Sequence, residues 1–316
     1  MPAYFLGIDG GQSSTTAVIG DETGRVLGYG RGGPCNHVAA SEARAKFMNA
    51  IGGCVRQAAE AASLDLDTLE FEAACCGFSG GPADKDALIA ELFRIKTRHV
   101  THDALIALSG AHAGQPGIIT IAGTGSISFA RNAEGKFGRA GGWGYVYGDE
   151  GGGFDLTRQA LRAALRMEEG WGPQTSLRAA LLEATGAAGA NDLLHKFYTP
   201  DFPRPRIAAL SRLVEQAAEQ GDEVAADILN ESAQQLAGIA LAARMQVFTP
   251  QDHTPVAYIG GVFKCQRLLD EFRRRLERGG NTTVQAPIYG PAAGALLEAY
   301  RLGHLTVTLS GVPAEK

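Results

Sequence analysis

The sequence predicts an α/β fold built from two copies of one domain, on three observations. Strand-like and helix-like segments alternate along most of the chain. Two segments resemble each other, Phe5 to Thr16 (FLGIDGGQSSTT) and Ile118 to Arg131 (IITIAGTGSISFAR), and such self-similarity indicates a duplicated domain. The length of 316 residues fits two domains of about 150 residues each. Two hairpins facing each other across a cleft could bind one nucleotide from both sides.

The first element is a hairpin whose turn has the chemistry of a phosphate site. An apolar run interrupted by Gly10 and Gly11 and resumed at once is typical of a β-hairpin. Glycines let the backbone approach an anion, and the hydroxyls of Ser13, Ser14 and Thr15 add donors. A tight turn without a ligand explains this copy alone equally well.

Two further observations bear on the phosphate hypothesis. The second copy repeats the pattern with Gly123, Thr124, Gly125 and Ser126, which favours phosphate binding. Asp9, at the end of the first strand, can hold a hydrated cation. No lysine follows the glycines at the spacing of a Walker A loop, so that class of nucleotide site is excluded.

The remaining elements follow from periodicity and capping signals. In the first half we predict strands near 4–9, 14–20 and 25–30, a helix from a Ser41 cap to about Ala62, a strand over Glu72–Phe78, a helix from about Ala83, a short strand over His99–His102 and a helix from Asp103. In the second half we predict the second hairpin, a loop over Ala140–Gly153, a mostly helical region to Met245 with a long helix from about Asp222, a strand over Pro255–Ile259, a helix after Lys264 and a last helix over about Ala292–Leu302.

These elements suggest where the two domains lie. Residues 1–115 form the N-terminal domain, and the C-terminal helix, about 291–303, packs back on it. Residues 116–290 form the second domain, which carries helical insertions.

Composition excludes several classes of partner. A net charge of −5 without a basic patch argues against a nucleic-acid or membrane partner. There is no secretory-signal pattern and no apolar run of about 18 residues, so we expect a cytoplasmic protein. The five cysteines are an odd number without C-x-x-C spacing, which predicts buried thiols in a reducing compartment rather than disulfides or a zinc site.

Asp103 is the candidate general base. It follows a predicted strand and begins a predicted helix, where a free carboxylate could accept a proton from a hydroxyl nucleophile. Aspartate is also a preferred helix N-cap, and position alone favours the cap.

The segment Gly141 to Gly153 is the second candidate site. Seven glycines in thirteen residues cannot form an ordinary element, and they permit close approach of a ligand. Trp143 offers a flat wall for a sugar ring, and Asp149 offers a carboxylate. The alternative is a flexible surface loop, against which we expect Tyr145 and Tyr147 to be buried.

The motifs together resemble those of the N-acetylglucosamine kinases. The resemblance rests on IDGG near the N-terminus, CNH at 35–37, SGG at 79–81, THDA at 101–104, AGTGS at 122–126 and GGWGYVYGDEG at 141–151. It covers nearly the whole chain. That family belongs to the ATPase branch that includes the activators of benzoyl-CoA reductases and 2-hydroxyacyl-CoA dehydratases, and it implies duplicated actin-like (ribonuclease H-like) domains.

The resemblance implies roles for matching residues. Asp103 would deprotonate the 6-hydroxyl of an amino sugar, and Asp9 would serve Mg²⁺ bound with ATP. The phosphates would lie at Gly10, Gly11, Gln12, Ser13, Ser14, Thr124 and Gly125, and the nucleoside near Gly260, Gly261 and Lys264. The sugar pocket would be lined by Asn36, His37, Ser79, Gly80, Gly142, Trp143, Gly144 and Asp149. We also expect a homodimer.

Several alternatives stay open. Gln12, Ala140 and Ile127 depart from the family pattern, and these changes concern the acyl-amino pocket more than the phosphate site. A glucosamine or N-acetylmuramic acid kinase would keep every phosphate residue. An iron–sulfur activator ATPase would need suitably placed cysteines, whereas the adjacent Cys75 and Cys76 point to opposite sides of a strand. A non-catalytic sugar sensor is disfavoured because Asp103 is present and no helix-turn-helix segment is found.

Overall fold

The computed structural model describes residues 2–11, 14–35, 40–79 and 84–313. The chain divides into two compact units, Met1–Gln115 with Ala286–Lys316, and Pro116–Gln285. Each unit has a five-stranded sheet in its described residues. The predicted α/β class is therefore confirmed.

The first unit is formed by the N-terminal part of the chain and the C-terminal helix. Its elements up to residue 111 are strands β1 (Tyr4–Gly10), β2 (Thr15–Asp21) and β3 (Val26–Gly32), helix α1 (Ala40–Ala61), strand β4 (Glu70–Phe78), helix α2 (Lys85–Leu92), strand β5 (Arg94–His102) and helix α3 (Asp103–Ala111).

The second unit repeats the strand pattern and adds helices. Its elements are β6 (Gly117–Ala122), β7 (Ser126–Arg131), β8 (Phe137–Gly141), α4 (Gly153–Glu168), α5 (Leu177–Thr185), α6 (Ala190–Phe197), α7 (Arg204–Ala208), α8 (Arg212–Glu219), α9 (Glu223–Val247), β9 (Thr254–Ile259), α10 (Gln266–Glu277) and β10 (Thr282–Gln285). The chain then returns to the first unit as α11 (Pro291–Leu302).

The two sheets have the same topology. The first has the order β3-β2-β1-β4-β5 and the second β8-β7-β6-β9-β10. In each, three strands form an antiparallel meander and two more strands run parallel to the first strand of that meander. The duplication predicted from the two hairpins is therefore confirmed by strand order.

Alternating side chains place a core on each face of the first sheet. Leu6, Ile8 and Cys76 belong to the core that α1 covers. Phe5 and Cys75 belong to the core on the opposite face, which contains the apolar residues of α11. The two adjacent cysteines therefore point to opposite faces, as the strand period predicts.

The core of the second unit is built largely around α9. Its predicted start is confirmed: Asp222 is the N-cap and accepts a hydrogen bond from the Ala225 amide at 3.0 Å. Leu229, Leu236 and Ala240 lie on its buried face. Among the described residues, no helix combines the length and the apolar character needed to cross a bilayer.

Several predicted boundaries were wrong. Helix α1 begins at Ala40, one residue before the predicted Ser41 cap. Strand β5 begins at Arg94 rather than His99, because exposed charged side chains on an edge strand hide its apolar alternation. Strand β8 includes the first two residues of the predicted Ala140–Gly153 loop. The four-residue edge strand β10 was not predicted at all.

Candidate functional site

The first unit gathers its candidate residues at one edge of its sheet. Strands β1, β4 and β5 are parallel, so their carboxyl ends share an edge, which is where ligands bind in open α/β sheets. Asp9 lies at the end of β1, opposite Gly77 of β4. Ser79 follows β4 directly and Asp103 follows β5 directly.

A backbone hydrogen bond joins the two sides of the first hairpin beside this edge. The Gly11 amide donates to the Ser14 carbonyl at 2.9 Å, and the Ser79 amide donates to the Gly10 carbonyl at 3.2 Å. The Thr15 hydroxyl is buried and donates to the Gly33 carbonyl at 2.9 Å, so the predicted role of Thr15 as a phosphate donor is wrong. Gln12 and Ser13 lie outside the described residues, and Ser14 is exposed.

Asp103 does not cap α3. The N-cap is His102, whose side chain makes no capping bond, and Asp103 is the first residue of the helix. Its half-buried carboxylate accepts a hydrogen bond from the Ser79 hydroxyl at 2.7 Å through Oδ2. The carboxylate is thus held by the end of β4 rather than by its own helix, and the cap interpretation was wrong.

Lys85, which sequence reasoning missed, lies next to the hydrogen-bonded pair of Ser79 and Asp103. Its Nζ donates to the Ser79 carbonyl at 3.1 Å and lies 5.0 Å from the centre of the Phe78 ring. Burial lowers the pKa of Lys85, while the nearby Cys35 and Asp103 act in the opposite direction. Asn36, His37 and Gly80, predicted to contact the sugar, lie outside the described residues.

The second hairpin turn is joined to the glycine-rich loop and to the start of α4. The Gly153 and Phe154 amides donate to the Gly123 and Thr124 carbonyls at 2.8 and 3.0 Å. The Ser126 hydroxyl donates to the Glu150 carbonyl at 2.6 Å, so it serves the loop rather than standing free for a phosphate. Sequence reasoning missed this attachment of a helix N-terminus, a common anion site, to the turn.

Asp149 has the least ordinary environment of the predicted site residues. Asp149 as a whole residue is only 7 % exposed, and its backbone has φ +62°. A Cβ added at Gly125 would lie 2.4 Å from Oδ2 of Asp149, so the carboxylate lies directly against the second hairpin turn. Among the described residues no donor or cation contacts this carboxylate. A left-handed backbone at a residue other than glycine, with a carboxylate that no described side chain or amide engages, indicates a site for a ligand.

Gly260 and Gly261 follow β9, the parallel neighbour of β6. Gly260 has φ +118°, and a Cβ there would lie 2.1 Å from the Ala122 carbonyl oxygen. At Gly261, by contrast, a Cβ would meet no atom within 4 Å. The first glycine is required by the backbone, whereas the second borders open space. Lys264 is exposed at the end of the short 3₁₀ helix Gly261–Lys264.

The aromatic residues of the glycine-rich loop are exposed, contrary to expectation. Tyr145 is 44 % and Tyr147 85 % exposed, because the loop turns through successive left-handed residues and directs its side chains outward. Trp143 is 71 % exposed, and the Arg139 guanidinium lies 5.1 Å from the centre of its ring. Tyr145 and Val146 border a cavity of about 500 Å³ whose other walls come from α4 and residues 194–207. Gly142 and Gly144 both have positive φ.

Comparisons with known proteins place this chain in an ATPase family and show that it is similar to several sugar kinases. The family model of the BadF/BadG/BcrA/BcrD ATPase family matches residues 6–299. The N-acetylmuramic acid/N-acetylglucosamine kinase of Clostridium acetobutylicum is 33% identical over 286 residues, covering 86% of this chain and 90% of that protein. The N-acetyl-D-glucosamine kinase of Dictyostelium discoideum is 31% identical over 311 residues, covering 93% and 97%. The crystal structure of a candidate N-acetylglucosamine kinase from Chromobacterium violaceum has a TM-score of 0.73 at 29% identity, covering 93% and 98%.

Proposed function

This chain belongs to the BadF/BadG/BcrA/BcrD ATPase family, and from that premise we propose that it transfers the γ-phosphoryl group of MgATP to the 6-hydroxyl of an amino sugar, N-acetylglucosamine first. Two relatives above 30% identity, aligned over most of both chains, are kinases named for N-acetylated amino sugars. The single observation that carries the proposal is the Asp103 carboxylate, held by Ser79 at the edge of the sheet where ligands bind.

Asp103 is the proposed base. The Ser79 hydroxyl engages its Oδ2, which leaves Oδ1 to accept the proton of the attacking sugar hydroxyl. Phosphoryl transfer needs little covalent work from the protein, since positioning and charge neutralisation supply most of the catalysis. An oriented carboxylate next to the acceptor hydroxyl meets that need.

The nucleotide would be held by backbone amides rather than by a Walker lysine. Gly10, Gly11 and Ser14, with Gln12 and Ser13, would bind phosphate in the first unit. In the second unit, Thr124 and Gly125 would do so, supported by the start of α4, while Gly260, Gly261 and Lys264 would lie near the nucleoside. The open space at Gly261 supports this assignment.

Magnesium is part of the proposal. When bound, it would neutralise phosphate charge, and it is usually held by one or two carboxylates together with the phosphates. Asp9 at the end of β1 is the proposed residue for it. The Asp149 carboxylate, which lies against Gly125 of the second hairpin turn, is a second candidate ligand for magnesium.

Sugar contacts are proposed for Ser79, Gly142, Trp143, Gly144 and Asp149, with Asn36, His37 and Gly80. An amino sugar presents hydroxyl donors, and the Asp149 carboxylate, which no described residue engages, is a suitable acceptor for them. The homodimer and the cytoplasmic location stay predictions.

Asp149→Ala distinguishes the two roles of this carboxylate. If Asp149 accepts sugar hydroxyls, KM for the sugar should rise about ten- to a hundredfold, since hydrogen bonds to charged groups contribute about 1.5–3 kcal/mol. The KM for ATP should stay within about twofold. Sugar titrations at saturating MgATP, repeated at several magnesium concentrations, measure this.

The matched control is Asp201→Ala, which removes an exposed carboxylate from the same unit. It should leave both KM values unchanged. An Asp149→Ala defect that is relieved by magnesium, with an unaltered sugar KM, would assign the residue to the metal and contradict the sugar role.

A substrate panel tests the proposed function. ATP-dependent ADP release should be compared for glucose, glucosamine, N-acetylglucosamine, N-acetylmannosamine and N-acetylmuramic acid. We expect the highest kcat/KM with N-acetylglucosamine. N-acetylmuramic acid is the second candidate, because the Clostridium relative is named for both sugars. ATP hydrolysis that no sugar stimulates would contradict the kinase proposal.

The iron–sulfur alternative has less support. All five cysteines are buried, and Cys75 and Cys76 lie in different cores. A purified protein with visible iron–sulfur absorption would revive it.

A further inference from the structure

Lys85 occupies a position that local helix energetics disfavour. It is the first residue of α2, where a positive charge opposes the helix dipole. The residue before it, Asp84, has φ +63° and makes no capping bond, a conformation that is uncommon outside glycine. Departures from local preference of this kind occur at functional sites.

The contacts of Lys85 explain its position. Its ammonium donates to the Ser79 carbonyl at 3.1 Å and lies over the Phe78 ring. This bond joins the first residue of α2 to the residue that directly follows β4. The same Ser79 donates its hydroxyl to Asp103 at 2.7 Å. A chain of two hydrogen bonds therefore runs from Lys85 through Ser79 to the carboxylate.

Resting on the proposed kinase function, we propose that Lys85 is a positioning residue for phosphoryl transfer: it fixes Ser79, and Ser79 orients Asp103. The bond from Lys85 holds the Ser79 carbonyl, and Ser79 in turn keeps Oδ2 of Asp103 engaged so that Oδ1 faces the substrate.

The burial of Lys85 supports this role. Half-burial lowers the pKa of its ammonium, and the nearby Asp103 offsets part of that effect. The Asp103 carboxylate therefore favours the charged form of Lys85, which donates the hydrogen bond to Ser79. Misplacing a catalytic group by about 1 Å can cost about a hundredfold in rate. We expect a loss of this kind when the hydrogen bond from Lys85 to Ser79 is removed.

Lys85→Met tests the proposal, because the methionine side chain is of similar length but cannot donate a hydrogen bond. We expect kcat with the preferred sugar to fall about ten- to a hundredfold, the loss expected when a catalytic group is displaced by up to about 1 Å. KM for ATP should change by no more than about twofold, since Lys85 acts on Ser79 and the transfer step rather than on the nucleotide. Lys96→Met is the matched control: Lys96 is exposed on β5 and pairs with Glu72 at 2.7 Å.

A double-mutant cycle tests the route through Ser79. If Lys85 acts only by fixing Ser79, then Lys85→Met combined with Ser79→Ala should lose no more activity than the worse of the two single variants. Additive losses would mean that Lys85 acts independently, and they would overturn the proposed chain.

Chemical rescue separates positioning from misfolding. Lys85→Cys, alkylated with 2-bromoethylamine, regains an ammonium at nearly the original length. The native cysteines are buried, and burial raises the pKa of Cys54 to about 12 and of Cys265 to about 11, which keeps them in the unreactive thiol form. Wild-type protein treated in parallel controls for their modification.

Recovery of at least about a third of the wild-type kcat after alkylation is the expected result. No recovery, or Lys85→Met with full kcat, would overturn the role of Lys85. A raised KM for ATP at unchanged kcat would make it a nucleotide ligand instead, which also overturns the proposal. Failure of the kinase function itself would be recognised separately, by a wild-type protein that releases no sugar-dependent ADP.

Discussion

Asp103→Asn should lower kcat about a hundred- to ten-thousandfold, the usual contribution of a general base. The amide preserves the shape of the side chain and still offers an oxygen to the Ser79 hydroxyl, which donates to Asp103 at 2.7 Å. It cannot accept the proton of the sugar hydroxyl. Binding of sugar and ATP, measured by calorimetry, should therefore stay within about threefold of wild type, because neither depends on basicity.

The control is Asp67→Asn, a surface carboxylate of the same unit, 79 % exposed and 3.7 Å from Arg56. It should leave kcat unchanged, since exposed ion pairs contribute little. An Asp103→Asn variant that retains more than about a tenth of the wild-type kcat would remove Asp103 from the role of base and leave it a structural partner of Ser79.

Gly260→Ala should strongly destabilise the protein, whereas Gly261→Ala should not. At Gly260 a Cβ meets the Ala122 carbonyl oxygen at 2.1 Å, and the residue has φ +118°. Backbone strain costs about 1–3 kcal/mol, and overpacking costs a similar amount, about 1–3 kcal/mol. We expect a fall in Tm of at least about 5 °C by differential scanning fluorimetry.

The neighbouring variant tests ligand binding. Gly261 has no atom within 4 Å of an added Cβ, so Gly261→Ala should keep the wild-type Tm. If that open space receives the nucleoside, the Kd for ATP should rise about tenfold, a loss of about 1.4 kcal/mol. Wild-type ATP affinity in Gly261→Ala would contradict the nucleotide assignment, and an unshifted Tm in Gly260→Ala would contradict the packing argument.

The duplicated architecture was predictable because its signals are local. Each hairpin places its glycines between two apolar strands, and strand order repeats in both sheets. The start of α9 was also predictable, since an Asp222 cap is read directly from the sequence. Strand β10 was not, because four residues on a sheet edge carry too little periodicity.

Contacts between distant residues explain the rest of what was missed. Lys85 acts on Ser79 and Ser79 on Asp103, 24 residues further along, and nothing in the sequence indicates which lysine reaches which carbonyl. Asp149 was singled out by the glycines around it. Its approach to Gly125 in the second hairpin turn could not be predicted, because it depends on how the glycine-rich loop folds back. The expected burial of Tyr145 and Tyr147 was wrong for the same reason.

Identifying the product tests most directly whether the protein transfers phosphate to the 6-hydroxyl of N-acetylglucosamine. Wild-type protein incubated with MgATP and N-acetylglucosamine should be followed by ³¹P and ¹H NMR. We expect one new phosphomonoester resonance coupled to the protons on carbon 6 of the sugar, formed in equal amount to ADP. Inorganic phosphate as the only new phosphorus product, or phosphate on another hydroxyl, would contradict it.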